Sequence, residues 1–189
     1  MKLKIDRIIR DFLALRGESP DLLPVLGEGE DSAVLTISDE LRVRLLPAAV
    51  KAVLSTPLFD IAEVCEVPAV PLRDSFGTLS VALPDDFLRL HTLQMSDWRE
   101  PLHCVEPEDT LRSRLGANAP AWMACRERPL VLLRRDDSGP SLRIFGSNSD
   151  TIVRLLYVAK PALTDATLTL PSASYPNLLN LLCDLSTNS

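Results

Sequence analysis

The first apolar pattern in the chain lies between residues 3 and 16, where hydrophobic positions recur every three or four residues with charged residues between them. This spacing predicts an amphipathic helix that ends at Gly17. The stretch from Gly17 to Ser32 contains prolines, glycines and the acidic residues 28–31, so it predicts a loop. Residues 33–37 have the composition of a short strand.

A second helix is predicted to begin at Ser38, because its hydroxyl can cap free backbone N–H groups and because Asp39 and Glu40 suit the positive end of the helix dipole. Pro47 removes one N–H inside the pattern, which predicts a kink or a new helical start and therefore two short pieces. Apolar residues trace one face before Pro57 ends the pattern: Leu41, Leu45, Leu46, Ala49, Val50, Val53 and Leu54.

After Phe59 the pattern changes to short β-like runs separated by turn residues. Strands are predicted at 67–72, 78–83 and 87–95, and a short helix at 107–115. The alternation in the third strand directs four apolar side chains inward: Leu88, Leu90, Leu93 and Met95.

The third quarter of the chain predicts a strand at 130–135, a turn, and a returning strand at 141–146. The apolar run at 151–160 follows, so three successive antiparallel strands are expected. Its residues Leu155, Leu156 and Tyr157 are predicted to lie in a central strand of the main sheet, with Leu90 and Leu132 in the same core. A loop at 161–171 then leads to a short terminal helix at 176–185.

These elements predict an α+β fold in which amphipathic N-terminal helices precede a mainly antiparallel β-sheet region and a short C-terminal helix. A chain of 189 residues is long enough for one ordinary core. We therefore expect an N-terminal helix and acidic loop at 1–37 and a single α+β core domain at 38–189.

Composition restricts the partners of this fold. The formal net charge is -6, and no stretch concentrates enough Lys and Arg to neutralise a phosphate backbone, so sequence-specific nucleic acid binding is not expected. No apolar run approaches the roughly 20 residues that cross a bilayer, and the charged residues 1–7 do not form a secretory signal. We expect no membrane association and a cytoplasmic location during expression. The four widely separated cysteines are predicted to be buried, reduced thiols: Cys65, Cys104, Cys125 and Cys183.

The residue types that support catalysis or metal binding do not form a recognisable pattern. His91 and His103 have no second ligand at helical spacing, and His91 is predicted on the polar face of a strand. A thiolate pair of His103 with Cys104 is disfavoured, because neighbours on a strand point to opposite faces. We therefore predict no catalytic residue, no metal site and no cofactor, and hence no enzyme.

Four further motifs have structural interpretations. Residues 146–150 lack the spacing of a nucleophile turn and indicate a connector. Residues 27–31 lack the Gly and Lys of a phosphate loop and the regular ligand spacing of a calcium site. Asp85 and Asp86 follow Pro84 as turn and capping residues, with a paired-acid site as the alternative. The arginines 112, 114, 134 and 135 indicate a solvated face.

The order of elements from Ser38 onward resembles the head–tail adaptor, or neck, proteins of tailed phages and prophages. The likeness covers about three quarters of the chain and does not include the residues before Ser38. It rests on the helix at 41–54, the strand and turn at 83–90, Trp98 with Leu102, the hairpin at 130–146, the run at 153–163 and residues 168–171 ahead of the last helix.

The resemblance implies a structural subunit without chemistry, located in the virion and arranged in a homo-oligomeric ring between portal and tail proteins. Subunit contacts are expected at the helix 3–16 and the apolar residues 20–26, so that deleting residues 1–26 would weaken assembly without unfolding the core. The alternative functions are a cytosolic small-ligand-binding or regulatory domain and an enzyme with a carboxylate site at Asp85 and Asp86.

Overall fold

The structure, a computed structural model, describes residues 1–17, 32–67, 70–75, 77–108, 124–125, 127–137 and 139–187. Their contacts form two compact units. The terminal unit combines Met1–Glu63 with Lys160–Ser189, and the central unit is Val64–Ala159. This grouping differs from the expected division at residue 37, which lies inside a helix.

The elements confirm an α+β fold. The helices are α1 (Ile5–Leu15), α2 (Ser32–Ser55) and α3 (Tyr175–Thr187), with 3₁₀ turns at Leu58–Asp60 and Ser172–Ser174. The strands are β1 (Lys2–Lys4), β2 (Cys65–Glu66), β3 (Leu72–Arg73), β4 (Leu79–Ala82), β5 (Phe87–Met95), β6 (Glu106–Pro107), β7 (Leu130–Asp136), β8 (Gly139–Phe145), β9 (Ile152–Ala159), β10 (Ala162–Leu163) and β11 (Thr167–Thr169).

The N-terminal helix is confirmed, but it starts later than expected. Lys2, Leu3 and Lys4 alternate between exposed and buried positions and form β1, in which Leu3 pairs with Leu168 of β11. Helix α1 then runs to Leu15, and Gly17 follows with a φ of 72°, the left-handed conformation that commonly ends a helix. The predicted loop at 17–32 lies mainly outside the described residues.

Helix α2 begins at Ser32, so the short strand at 33–37 and the helix start at Ser38 were wrong. The helix continues through Pro47 as one element. Pro47 lacks the N–H that would bond the carbonyl of Val43, but both residues are exposed, so water can hydrate that carbonyl. The end of the helix at Ser55, before Pro57, is as predicted.

The terminal unit packs α1 and α2 against α3, and its strands form a small antiparallel sheet in the order β1-β11-β10. Helix α3 confirms the predicted terminal helix, whereas β10 and β11 occupy what was expected to be a loop. The N-terminal ammonium of Met1 donates to the carbonyl of Leu170 at 2.5 Å. The apolar face of α1 is buried inside this unit, with Ile5, Ile8 and Phe12 at most 3% exposed.

The central unit contains two sheets, with the strand orders β2-β9-β5 and β3-β4-β8-β7-β6. All pairings are antiparallel except β6 with β7. The β7–β8 hairpin is confirmed, but β9 pairs with β2 and β5, so the three strands are not successive in one sheet. The strand predicted at 67–72 is replaced by the short strands β2 and β3. The helix predicted at 107–115 lies almost entirely outside the described residues.

Both sheets of the central unit contribute to its main core, which contains Leu90, Leu155 and Tyr157 as expected. Leu156 was grouped with them, but it is half-buried and is not part of this core. Leu132 instead lies with Phe145 in a smaller cluster, because its neighbour Val131 faces the main core and adjacent strand residues face opposite sides. Register shifts between β5 and β9 explain why Phe87 is fully buried while Leu88 is half-buried.

Candidate functional site

The cysteines are not the buried residues that were predicted. Cys65, Cys104 and Cys125 are exposed, and Cys183 is half-buried. Cys65 lies in the two-residue strand β2, where both residues are exposed and where its register partner is Tyr157. The prediction failed because apolar neighbours in the sequence do not determine which face of a short strand is covered.

His91 and His103 come together, which their twelve-residue separation did not indicate. A bridge between Leu93 and Leu102 aligns the two segments, and the ring centroids are 6.3 Å apart, edge to face. The Nδ1 of His103 donates to the carbonyl of His91 at 2.7 Å, and the Nδ1 of His91 is 2.8 Å from the hydroxyl of Thr92. Burial, His103 and Arg89 lower the pKa of His91, so its neutral form is favoured.

Asp85 and Asp86 are exposed at the turn between β4 and β5. The carboxylate of Asp86 accepts a hydrogen bond from the hydroxyl of Tyr157 at 2.9 Å. Burial, with this carboxylate as the next cause, raises the pKa of Tyr157 above its ordinary value. Asp86 therefore anchors the turn to β9.

Residues 146–150 form a connector held by polar contacts. The Asp97 carboxylate accepts from the Ser147 hydroxyl at 2.7 Å and from the Asn148 backbone N–H at 2.8 Å. Arg73 donates to the carboxylate of Asp150 at 2.7 Å and to the carbonyl of Ser149 at 3.3 Å. These bonds satisfy the loop's own groups and fix its path.

A charged pair that the sequence did not reveal joins two distant segments. Arg143 of β8 donates to the carboxylate of Glu108 at 2.6 Å, and Glu108 is only 4% exposed. The guanidinium of Arg143 also lies 5.3 Å from the ring centroid of Phe145. A carboxylate this deeply buried is tolerated because a cation reaches it.

Of the remaining sequence candidates, the structure describes the arginines 134 and 135. Arg134 pairs with Asp136 at 2.8 Å on an exposed surface, as a solvated face implies. Residues 27–31, Arg112 and Arg114 lie outside the described residues. Within the described ranges, no group of three or more His, Cys, Asp and Glu residues is arranged to hold a metal ion. No helix in that same part of the chain is sufficiently long and apolar to span a bilayer.

The terminal unit has a small apolar cleft between its helices. Its lining comes from α1, α2 and α3 and includes Ile8, Phe12, Leu45 and Leu182, all of them buried. Arg42 is the charged residue of this lining. Such a surface supports packing between helices and offers few polar groups to orient a ligand.

Helix α2 presents a second apolar face to the solvent. Its inner face contains Leu45, Ala49 and Val53, each at most 3% exposed. On the other side, Val43 is 78%, Leu46 is 37% and Leu54 is 50% exposed. We call Val43, Leu46, Val50 and Leu54 the outer stripe, since their spacing of three and four residues places them on one face of the helix.

The sequence analysis assigned Leu46, Val50 and Leu54 to the same face as the inner residues. The structure separates them by exposure: at about 100° per residue the outer stripe is centred roughly 100° around the helix from Leu45, Ala49 and Val53. The sequence did contain a signal for this separation. Seen along the helix axis, the apolar positions of α2 span an arc that is too wide for one buried face. The charged side chains described on this helix are exposed and basic: Arg42, Arg44 and Lys51.

The outer stripe is therefore an apolar surface on helix α2 with basic residues near it.

Comparison of the sequence with models of known protein families and with curated proteins finds no match.

Proposed function

We propose that this protein is a non-enzymatic assembly subunit of the head–tail adaptor type, one copy in a ring that joins a portal to a tail. The observation that carries the proposal is the outer stripe of α2. Exposed apolar side chains grouped on one helix face are typical of surfaces that bind other proteins. The side chain of Val43 is 78% exposed, and it lies on the same helix face as Leu46 and Leu54.

A ring of identical subunits needs two different complementary surfaces on each copy, because its contacts are head to tail. The central unit supplies a second candidate surface. Val70 and Leu72 are 82% and 72% exposed, and Leu72 belongs to β3, which lies at the edge of its sheet. Edge strands have backbone groups that can pair with another chain. Two surfaces of different character therefore support ring assembly.

The contact surface expected at the helix 3–16 needs correction, whereas residues 20–26 lie outside the described residues. Strand β1 and the apolar face of α1 belong to the core of the terminal unit, with Leu3, Ile8 and Phe12 at most 4% exposed. Deleting residues 1–26 would remove this core and would unfold the unit. The proposal is therefore tested with point substitutions on α2.

The experiment mixes the purified chain with the portal protein encoded beside it and measures complex size by light scattering. We expect a large complex with the natural chain and its loss with Val43→Ser combined with Leu54→Ser. Leu15→Ser is the matched control, because Leu15 is 57% exposed on α1 of the same unit. The control should retain the complex, and all variants should retain the melting temperature of the natural chain.

The proposal fails if the natural chain forms no complex with the portal or with any neighbouring virion protein. Tight binding of a small apolar molecule in the cleft lined by Ile8, Phe12 and Leu45, together with the absence of such complexes, would instead indicate a ligand-binding domain.

A further inference from the structure

We propose that residues 102–105 form a pH-sensitive strap, which covers the edge of β5 and is released when His91 takes up a proton. The proposal concerns the central unit alone and does not depend on the proposed function. It follows from the position of β5 in its sheet, from the hydrogen bonds that hold the strap, and from the arrangement of His91, Thr92 and His103.

The strap lies along an edge strand. Strand β5 is at one end of the order β2-β9-β5, so one side of its nine residues is not paired within that sheet. On this side the N–H of Leu93 donates to the carbonyl of Leu102 at 2.8 Å, and the N–H of Leu102 donates to the carbonyl of Leu93 at 2.7 Å. This pair is an isolated bridge, and Leu102 and Val105 pack against the main core. Few backbone bonds therefore hold the strap to β5.

The imidazole of His103 supplies the next bond along this edge. If the bridge continued as an antiparallel ladder, the carbonyl of His91 would accept from the backbone N–H of Cys104. In the structure this carbonyl accepts from Nδ1 of His103 at 2.7 Å. An imidazole side chain thus takes the place of a backbone donor in holding the strap.

The hydrogen bonds around Thr92 favour a neutral His91. The Thr92 oxygen lies 2.8 Å from Nδ1 of His91 and 3.4 Å from Nδ1 of His103. Because Nδ1 of His103 carries the hydrogen that it donates to the carbonyl, the single hydrogen of the hydroxyl is available to Nδ1 of His91. A protonated His91 can only donate at Nδ1, so the Thr92 oxygen would face two N–H groups and its hydrogen would lose this acceptor.

The charges around His91 act in the same direction. The two imidazole centroids are 6.3 Å apart, and burial, His103 and Arg89 lower the pKa of His91. The other titratable or charged side chains of β9, β2 and the strap are Arg154, Tyr157, Cys65, Glu66 and Cys104. Glu66, the carboxylate among them, belongs to β2, which is separated from β5 by β9. Release of the strap removes the contact with His103 and hydrates His91, so a proton binds more readily.

The sign of the pH dependence follows from this difference in proton affinity. The closed strap lowers the pKa of His91 below its ordinary value of 6.5, so the open state takes up the proton first as the pH falls. Opening should become more frequent as the pH falls through and below about 6.5. Release leaves the outward backbone groups of β5 open, as at an unprotected sheet edge that can pair with another chain. The strap thus controls access to that edge.

The test measures hydrogen exchange of single backbone amides in the native full-length chain by NMR. The amide of Leu93, which donates to the strap, is compared with that of Leu142 in β8, a strand that is paired on both sides. Between about pH 7.5 and about pH 5.5, we expect the protection factor of Leu93 to fall several-fold and by at most about tenfold, the limit for one group with this ordinary pKa. The protection factor of Leu142 should remain the higher of the two at both pH values.

Three variants separate the roles of the two imidazoles. His91→Asn keeps the backbone carbonyl that the strap binds but removes the titrating ring, so the protection of Leu93 should no longer show this fall with pH. His103→Leu removes the donor, and protection should be several-fold lower already at about pH 7.5. His103→Asn has a side-chain amide that can donate, so it should restore part of the protection. The Leu142 amide shows whether each variant remains folded.

Equal protection of Leu93 and Leu142 at both pH values would show that the strap opens only when the whole central unit unfolds, which overturns the proposal. The proposal is also wrong if His91→Asn retains the pH dependence of the natural chain. It is equally wrong if His103→Leu protects the Leu93 amide as well as the natural chain does.

Discussion

The two units use their apolar residues differently. The central unit is one continuous stretch of chain whose two sheets share a core, and its large exposed apolar residues among those described are Val70, Leu72 and Val153. The terminal unit is built from both ends of the chain, and its described part exposes Met1, Leu15, Val43, Leu46, Leu54 and Phe59. Most of these exposed apolar residues of the terminal unit lie on α2 or shortly after it in the sequence. The central unit thus has a filled core, whereas helix α2 of the terminal unit is apolar on two sides, and the proposed function assigns the exposed side to binding.

The two units also differ in where their polar groups form hydrogen bonds. In the central unit, Asp97 and Arg73 hold the connector at 146–150 through several bonds. In the terminal unit, the Thr56 hydroxyl donates to the carbonyl of Ala52 at 2.7 Å, lies 3.0 Å from the Ser174 hydroxyl and accepts from Asn177 at 3.1 Å. The buried hydroxyl of Thr56 thus links the end of α2 to the chain's C-terminal part. On another side of α2, Val43 and Leu54 are exposed.

The largest effect is expected in the core of the central unit. Leu155 in β9 is 1% exposed, so Leu155→Ala should reduce the free energy of unfolding by about 2–5 kcal/mol. Val153→Ala in the same strand is the control, because Val153 is 58% exposed and its change should stay within about 0.5 kcal/mol. Tryptophan fluorescence during urea unfolding reports this unit, since Trp98 is buried in its main core. Equal effects of the two substitutions would contradict this core.

A close backbone approach in the central unit gives the next effect. Gly146 has a φ of 83°, and a Cβ atom there would lie 2.6 Å from the carbonyl oxygen of Cys125. Gly77 has a φ of 80° and nothing within 4 Å of such an atom. Gly77→Ala should therefore cost about 1–2 kcal/mol for conformation alone, and Gly146→Ala about 1–3 kcal/mol more for the clash. If both variants unfold at the same urea concentration, the close approach is absent.

Local pattern predicted the elements better than their partners. The helices α1 and α3 and the strands β5, β7, β8 and β9 follow from periodicity, because each has a repeat that matches its own geometry. The assignment of β9 to a second sheet, the separation of Leu132 from the main core and the pairing of Glu108 with Arg143 depend on residues far apart in sequence.

The outer stripe shows a different limit of sequence analysis. A helical repeat indicates which residues are apolar, but it does not indicate how much of the circumference its neighbours cover. Val50 and Leu54 were therefore grouped with Ala49 and Val53, although the two sets face different surroundings. The assembly hypothesis remains a prediction, and within the described residues its contact surface has moved from the helix expected at 3–16 to α2.

The polar centre of the terminal unit gives a smaller effect than the central core. Thr56→Val keeps the shape of the side chain but leaves Ser174 and Asn177 without this hydroxyl. Ser174 is fully buried, so we expect a loss of about 1–3 kcal/mol. Ser55→Ala is the control, because Ser55 is exposed and bonds only locally to Ala52. The helical far-UV signal measures the unfolding, and equal stability of the two variants would show that the centre contributes little.

The smallest effect concerns the dependence of the central unit on pH. Burial first, and then His103 and Arg89, lower the pKa of His91 below its ordinary value of 6.5. The unfolded chain therefore takes up this proton more readily than the folded chain, and folding stability must fall as the pH drops through and below about 6.5. Above that range His91 is neutral in both states, and its contribution to the free energy of unfolding does not change.

His91→Asn removes the titrating group and retains a polar side chain beside Thr92. We expect the urea midpoint of the natural chain, followed by tryptophan fluorescence, to decrease more between about pH 7.5 and about pH 5.5 than that of His91→Asn. Carboxylates titrate in both proteins, so only the difference between them reports His91. A larger decrease in the variant would mean that the imidazole is stabilised as a cation, which contradicts the packing of His91 beside His103.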